Sequence, residues 1–132
     1  GGWRTNILAA LDPRIRAAVG VGWMTTGDYQ QAYNVGGAIG SFCLLPGVWD
    51  RFDIPDLAIM AQPAATMVVS GKQDELFPVE AQQEANRQIQ LGFEWAGTPE
   101  RFHAFTPDKP HCYDAEIQAE AIAWFDRHLK TR

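Results

Sequence analysis

The chain has 132 residues, the length of one domain, which can bury roughly two-thirds of its unfolded surface. Hydrophobic residues make up 46% and charged residues 20%, a balance typical of folded globular proteins rather than disordered ones. A net charge of −5 and the lack of a basic run argue against a nucleic-acid partner. The apolar runs fall far short of the roughly 20 residues that a membrane span needs, so we expect no membrane partner.

Short apolar runs alternate with segments of helical spacing along the chain. This order predicts an α/β fold, a three-layer sandwich around a partial parallel sheet. Residues from about 23 to 63 are irregular and rich in aromatic side chains, which indicates an insertion or cap. Strands are expected over 15–21, 65–69 and 101–105, and helices over 3–11, 54–60, 79–95 and onward from an N-capping Asp114.

The first predicted strand, over residues 15–21, is apolar, and nothing before it in the chain can pair with it. An unpaired apolar edge invites association with another strand. We therefore expect either an N-terminal half of the same domain or a self-association partner at this edge.

Two polar loops each follow a predicted strand, and the first contains an acid and the second a histidine. Asp74 comes five residues after Val69, where the carboxyl end of a parallel strand meets solvent and ligands bind. A carboxylate there can accept the Nδ1–H of a histidine and fix its tautomer. The alternatives are a solvated turn aspartate, such as we expect for Asp108, or Glu75 in the same role.

His111 is the preferred general base among the three histidines, because it lies in a proline-flanked loop just before the last helix. His103 falls inside a short strand and is expected to be a packed or edge residue. His128 lies near Arg127 and Lys130 in the last helix and is expected to be solvated.

No nucleophile is evident in the chain. The only serines, Ser41 and Ser70, lack a G-x-S-x-G turn, and no pattern supports a thiolate role for Cys43 or Cys112. The opening Gly1-Gly2-Trp3 resembles the end of a G-x-S-x-G turn, so we expect a nucleophilic serine upstream of residue 1. A cysteine-dependent hydrolase stays open as a weaker alternative.

The chain lacks a complete phosphate-binding loop and a metal-ligand spacing. Gly22 to Gly27 begins like a phosphate loop, but Asp28 stands where a lysine is required and would repel phosphate. No cysteine or histidine spacing suits a metal, and we expect neither a metal nor a cofactor. The aromatic residues between 23 and 52 could wall a substrate pocket or pack as a cap on the sheet.

Several segments together resemble one family: GGWRT at 1–5, AALDPRI at 9–15, WMTT at 23–26, GKQDELFP at 71–78 and Pro110-His111. They are similar to bacterial α/β-hydrolases of the acetyl xylan esterase-like and dienelactone hydrolase-like group. The resemblance implies that residues 1–132 are the C-terminal portion of a serine ester hydrolase acting on a small-molecule ester, such as a carboxylic or carbohydrate acetyl ester.

By the same resemblance, Asp74 is the triad acid, His111 the triad base, and Trp23 and Met24 border the active site. The serine would lie two residues before the first glycine of the pair that ends the family's G-x-S-x-G-G motif. The alternative interpretation is a non-catalytic remnant of the same fold, or an interaction module that self-associates.

Overall fold

The computed structural model describes residues 1–34, 47 and 50–130, without the side chains of residues 33 and 34. Helices and strands alternate, as the apolar pattern predicts. A single turn of 3₁₀-helix, Pro99–Arg101, precedes the last strand. The helices are α1 (Gly2–Leu11), α2 (Gly27–Asn34), α3 (Ile54–Met60), α4 (Val79–Trp95) and α5 (Ala115–Leu129), and the strands are β1 (Ala17–Val21), β2 (Ala65–Val69) and β3 (Phe102–Phe105).

The three strands are all parallel and lie in the order β1-β2-β3. The central strand is buried along its whole length, which explains why its sequence is continuously apolar rather than alternating. Met67 pairs with Val19 on one side and with His103 on the other. The prediction of a partial parallel sheet in an α/β fold is therefore confirmed.

Helices cover both faces of this sheet. Helices α1, α3 and α4 pack together on one face, around a core that includes Leu57, Val68 and Phe93. Helix α5 covers the other face, where Ile117 and Trp124 pack on the side chains of β2. The predicted three-layer sandwich is confirmed.

Two aspartates begin helices on either side of the sheet. Asp114 accepts a hydrogen bond from the Ile117 N–H at 3.1 Å and caps α5, as the sequence predicts. Asp53 and Asp56 form a capping box at the start of α3. Asp53 also accepts the N–H of Gly27 at 2.6 Å and so ties the start of α2 to α3.

Helix α2 corrects the expectation that residues from about 23 to 63 are irregular outside the predicted helix over 54–60. Its sequence, GDYQQAYN, has little apolar periodicity, and its first turn depends on Asp53, which lies 26 residues farther along the chain. A local pattern could not have revealed this long-range contact. The neighbouring prediction, a helix over 54–60, is confirmed by α3.

His128 also differs from its sequence-based expectation. The centre of its ring lies 4.2 Å from that of Trp124, one turn earlier in α5. The side chain is half-buried, and its Nε2 is shielded from solvent. Burial, helped by the charges of Arg101 and Arg127, lowers the pKa of His128. The expectation of a solvated residue therefore holds only in part, because one side of the ring packs against Trp124 and Nε2 is buried.

Candidate active site

Asp74 lies on the loop that follows β2, which we call the acid loop (residues 70–77). The turn that carries it is closed by a hydrogen bond from the Asp74 N–H to the Gly71 carbonyl at 3.2 Å. Its Oδ1 accepts the Leu76 N–H at 2.9 Å, and only 1% of its side chain is exposed. One carboxylate oxygen is thus held by the loop itself, which leaves the other for a partner.

The loop that follows β3, the histidine loop (residues 106–113), is bonded directly to the acid loop. The Lys72 N–H donates to the Pro107 carbonyl at 2.9 Å, and the Gln73 N–H donates to the Lys109 carbonyl at 3.0 Å. The Gln73 side chain also donates to Asp108, so that aspartate has a partner although it is exposed as expected. The two loops therefore form one cross-linked unit at the carboxyl ends of β2 and β3.

This unit brings Asp74 and His111 together. The His111 Nδ1 lies 2.8 Å from Asp74 Oδ2, across 37 residues of sequence. An ionised carboxylate can only accept, so Nδ1 carries the proton and the lone pair of the neutral ring is on Nε2. Half of the His111 side chain is exposed, and no hydrogen bond in the described part of the chain uses Nε2. The ring is thus oriented and free to take a proton.

Glu75, the alternative acid, is exposed and makes no bond with His111. His103, predicted to be a packed or edge residue, is exposed on the edge strand β3 with its ring 5.9 Å from that of Trp124. Among the described side chains, the geometry that suits an acid and base pair is that of Asp74 and His111.

Two glycines that the sequence did not mark as functional make this geometry possible. Gly22 has a φ of 63°, and a Cβ there would lie 2.6 Å from Cε1 of His111. A Cβ on Gly71 would overlap the Lys109 carbonyl, which accepts the bond from the acid loop. Their position within two residues of the ends of β1 and β2 is the signal that could have indicated close packing of loops.

Gln82 supports the acid loop from below and was also missed. It is 1% exposed in the first turns of α4, and its Nε2 donates to the carbonyls of Gly71 (3.0 Å) and Phe77 (2.8 Å). A glutamine between Ala81 and Ala85 on the inward face of a helix is unusual, and this interruption was the available signal.

Trp23 and Met24 follow Gly22 directly and lie in the core beneath the site. Met24 is fully buried, and Trp23 is 7% exposed, with its ring 4.4 Å from that of Trp3 and 5.7 Å from that of Phe77. They therefore support the position of Gly22, and a substrate-binding role for them stays a prediction. Of the aromatic residues predicted to wall a pocket, Phe42 and Trp49 lie outside the described residues.

A cavity of about 410 Å³ opens beside His111. The start of α1 forms part of its wall, and a Cβ on Gly2 would lie 2.7 Å from the Val21 carbonyl oxygen, so the helix approaches the end of β1 closely. The free Cys112 is half-buried in the wall. The lining residues include Gly1, Gly2, Thr5, Val21, His111, Cys112 and Tyr113.

Within the described residues, no hydroxyl or thiol is hydrogen-bonded to His111. Ser70 is 2% exposed and its hydroxyl has no partner, while Ser41 and Cys43 lie outside the described residues. The same part of the chain holds no group of three His, Cys, Asp or Glu side chains placed to bind a metal. None of its helices is both long enough and apolar enough to cross a bilayer.

No family model matches the chain, and no curated protein is significantly similar to it. Among solved structures it is similar to methylesterase BT1017, with a TM-score of 0.71 and 16% identity over 96% of this chain and 27% of that one. It is also similar to a carbohydrate esterase family 15 glucuronoyl esterase from Caldicellulosiruptor kristjansonii, with a TM-score of 0.69 and 15% identity over 97% of this chain and 40% of that one.

These similarities show that the fold is of the α/β-hydrolase type. The chain spans well under half the length of either similar structure. At 15–16% sequence identity, this similarity establishes the fold. It does not establish the activity, the substrate or the narrower group that the sequence segments resemble.

Proposed function

We propose that this chain supplies the acid and the base of a serine ester hydrolase. The observation that carries the proposal is the 2.8 Å hydrogen bond between Asp74 and a half-exposed His111 at the carboxyl ends of parallel strands. An oriented imidazole with a free Nε2 beside a cavity is the arrangement that a general base requires. The fold shared with two esterases supports it.

In the proposed reaction a serine hydroxyl attacks the ester carbonyl while Nε2 of His111 takes its proton. The tetrahedral intermediate collapses to an acyl-serine, and the same proton passes from His111 to the departing alcohol. A water molecule, deprotonated by His111, then releases the acid and restores the serine. Asp74 stays ionised throughout and stabilises the imidazolium that forms twice.

The free edge of β1 indicates where the serine would be carried. Arg16 and Gly22 direct their backbone groups to β2, so residues 17, 19 and 21 direct theirs to the opposite edge, which is unpaired in the described part of the chain. A parallel strand paired there would end beside the first turn of α1 and the cavity that His111 lines. We propose that such a strand, from an N-terminal half or from a partner chain, carries the serine.

For the substrate we propose an ester carried on a carbohydrate. The two similar structures are named for methyl-ester and glucuronoyl-ester hydrolysis, whereas the sequence segments resemble acetyl esterases. Esters of sugar hydroxyls and esters of sugar acids place the carbohydrate on opposite sides of the carbonyl. Rates on an acetylated xylose and on a methyl glucuronate would therefore separate the two classes.

The test is to join residues 1–132 to a segment that contains a strand and a G-x-S-x-G turn, and to assay acyl ester hydrolysis by this joined protein. We expect His111→Ala to abolish the activity. His103→Ala replaces an exposed histidine on β3 and should leave the activity nearly unchanged. Hydrolysis that survives the loss of His111 would refute the assigned base.

A second candidate function is a self-associating interaction module, which the unpaired edge of β1 favours. Two copies related by a twofold axis normal to the sheet would pair their β1 strands antiparallel. Sedimentation of residues 1–132 separates the candidates, because this module would form concentration-dependent dimers. A monomer at all concentrations would argue against it.

A further inference from the structure

Lys109 is held at its side chain by the helix that follows the histidine loop. Its Nζ lies 2.5 Å from Oδ2 of Asp114 and 2.5 Å from Oε2 of Glu116, and 24% of its side chain is exposed. Hydrogen bonds to Asp114 and Glu116 raise the pKa of Lys109, so the ammonium stays charged over the whole working range of pH. The side chain therefore fixes the loop to the first turn of α5.

The backbone of the same residue is held by the acid loop. The Lys109 carbonyl accepts the Gln73 N–H of the acid loop at 3.0 Å. Within the histidine loop, the Lys109 N–H donates to the Pro107 carbonyl at 2.9 Å. The absence of a side chain on Gly71 gives this carbonyl its place. Lys109 is thus bonded to α5 on one side and to the loop of the catalytic acid on the other.

We propose that Lys109 is a positioning residue, which holds the His111 imidazole in register with Asp74. This inference rests on the proposed function, because it names a residue that serves the same site. His111 follows Lys109 by two residues, and Pro110 between them limits the backbone freedom through which a displacement could be absorbed. Fixing residue 109 therefore fixes the origin of the histidine side chain.

A positioning role can be separated from a role in starting the helix. Asp114 uses Oδ1 to cap α5 and Oδ2 to bind Lys109. When the lysine is replaced, the cap remains, and α5 should still begin at the same residue. After this replacement the histidine loop keeps its backbone bonds to the acid loop, and the imidazole keeps its bond to Asp74 and its contact with Gly22, but residue 109 is no longer fixed to α5.

The experiment compares Lys109→Met, Lys109→Arg and Lys130→Met in residues 1–132. Lys130 forms an exposed ion pair with Asp126 at the far end of α5, so its replacement is a matched control for the loss of one surface ion pair. The readout is the NMR signal of the hydrogen-bonded Nδ1 proton of His111, assigned by its loss in His111→Gln. Thermal unfolding is measured in parallel.

We expect the signal to disappear or to exchange at least tenfold faster in Lys109→Met, and to persist in Lys109→Arg and Lys130→Met. In the joined protein, kcat should fall roughly 10- to 100-fold in Lys109→Met with little change in KM, because a small misplacement of the base affects the transition state. If Lys109→Met keeps both the proton signal and kcat while its melting temperature falls, the role is only structural and the inference is wrong.

The NMR arm does not depend on ester hydrolysis. A joined protein without esterase activity, in which Lys109→Met still loses the Nδ1 signal, would refute the proposed function and leave the positioning role intact. An active joined protein in which Lys109→Met behaves like Lys130→Met would refute the positioning role alone.

Discussion

Two histidines at opposite ends of the sheet show how surroundings decide what an imidazole can do. His111 lies at the carboxyl ends of the strands, half-exposed and bonded to the buried carboxylate of Asp74. His128 lies at the other end, half-buried against Trp124, and no group in the described part of the chain bonds its Nε2. Arg101 and Arg127, rather than a carboxylate, dominate the charges that act on it.

The contrast separates an imidazole that is oriented for proton transfer from one whose charged form is disfavoured. A carboxylate at Nδ1 fixes the orientation and the tautomer of the first ring, as a general base requires. Burial and two guanidinium groups oppose the charged form of the second ring. Histidine content alone therefore says little about chemistry, and the side chains that face each ring decide it.

The largest expected effect comes from removing the carboxylate that orients His111. In Asp74→Asn the amide can present its NH₂ to Nδ1, which favours the wrong tautomer, and kcat of the joined protein should fall about 10⁴-fold. Asp108→Asn is the matched control, because Asp108 is an exposed aspartate in the neighbouring loop, and Gln73 is the side chain that bonds it among the described residues. Steady-state hydrolysis checks both, and an equal loss in the two variants would contradict the assignment.

A side chain at Gly22 should have the next largest effect. Gly22→Ala places a methyl group against Cε1 of His111, which moves the ring, and we expect kcat to fall by about 100-fold. Gly97→Ala is a close control, because Gly97 has a φ of 74° but open space around it. Both variants should lose about 1–2 kcal/mol in the free energy of unfolding from the left-handed backbone.

Activity then distinguishes these two glycines where stability does not. Gly97→Ala should unfold more readily but hydrolyse ester at nearly the normal rate per folded molecule. If Gly22→Ala retains the same rate, the imidazole can shift without a loss of activity, and the close contact between Gly22 and His111 is not needed for hydrolysis.

Gln82 affects the site through stability. Gln82→Leu removes the buried donor to the carbonyls of Gly71 and Phe77. The Gly71 carbonyl keeps the Asp74 N–H, whereas the Phe77 carbonyl loses its side-chain donor, which should cost about 1–3 kcal/mol in the free energy of unfolding. Gln83→Leu, on the exposed face of the same helix, should change it by less than about 0.5 kcal/mol. Denaturant unfolding measures both values, and equal values would mean that water replaces the lost donor.

The pairing of Asp74 with His111 could be predicted because parallel strands bring their carboxyl ends to one edge of a sheet. Strand β2 and helix α4 have the predicted bounds, since a Ser-Gly turn and Pro78 mark where they end and begin. The bounds of these two elements are marked by adjacent residues, whereas the pairing of Asp74 with His111 follows from the topology of the sheet. Local sequence is sufficient for the bounds.

The other features depend on residues that are distant in sequence. Helix α2 begins at a carboxylate from the start of α3, and Gly22 meets a ring 89 positions later (111 − 22). The ring of His128 is affected by the charge of Arg101, 27 positions earlier (128 − 101), which helps to lower its pKa. No window of local spacing contains both partners, so the fold has to be known before such contacts can be seen.

The smallest expected effect is a pH dependence of stability that arises from His128. Its pKa is lowered in the folded state, so the unfolded chain binds a proton more readily as the pH falls below about 6.5. Through this group the folded state therefore loses stability as the pH falls from about 7.5 to about 5, and loses none above about 7.5. Glu100 opposes the effect by raising the pKa, whereas burial, Arg101 and Arg127 lower it.

Melting temperatures of the wild type and His128→Gln across this range should differ most at pH 5, where the variant gains relative stability. Arg127→Gln removes one of the opposing charges and should recover only part of that gain, since burial is the larger cause. Because His111 and His103 are unchanged in both variants, their titration cancels in the comparison. Parallel curves for wild type and His128→Gln would show that His128 titrates alike in the folded and unfolded states, and the contrast between the two ends of the sheet would then rest on His111 alone.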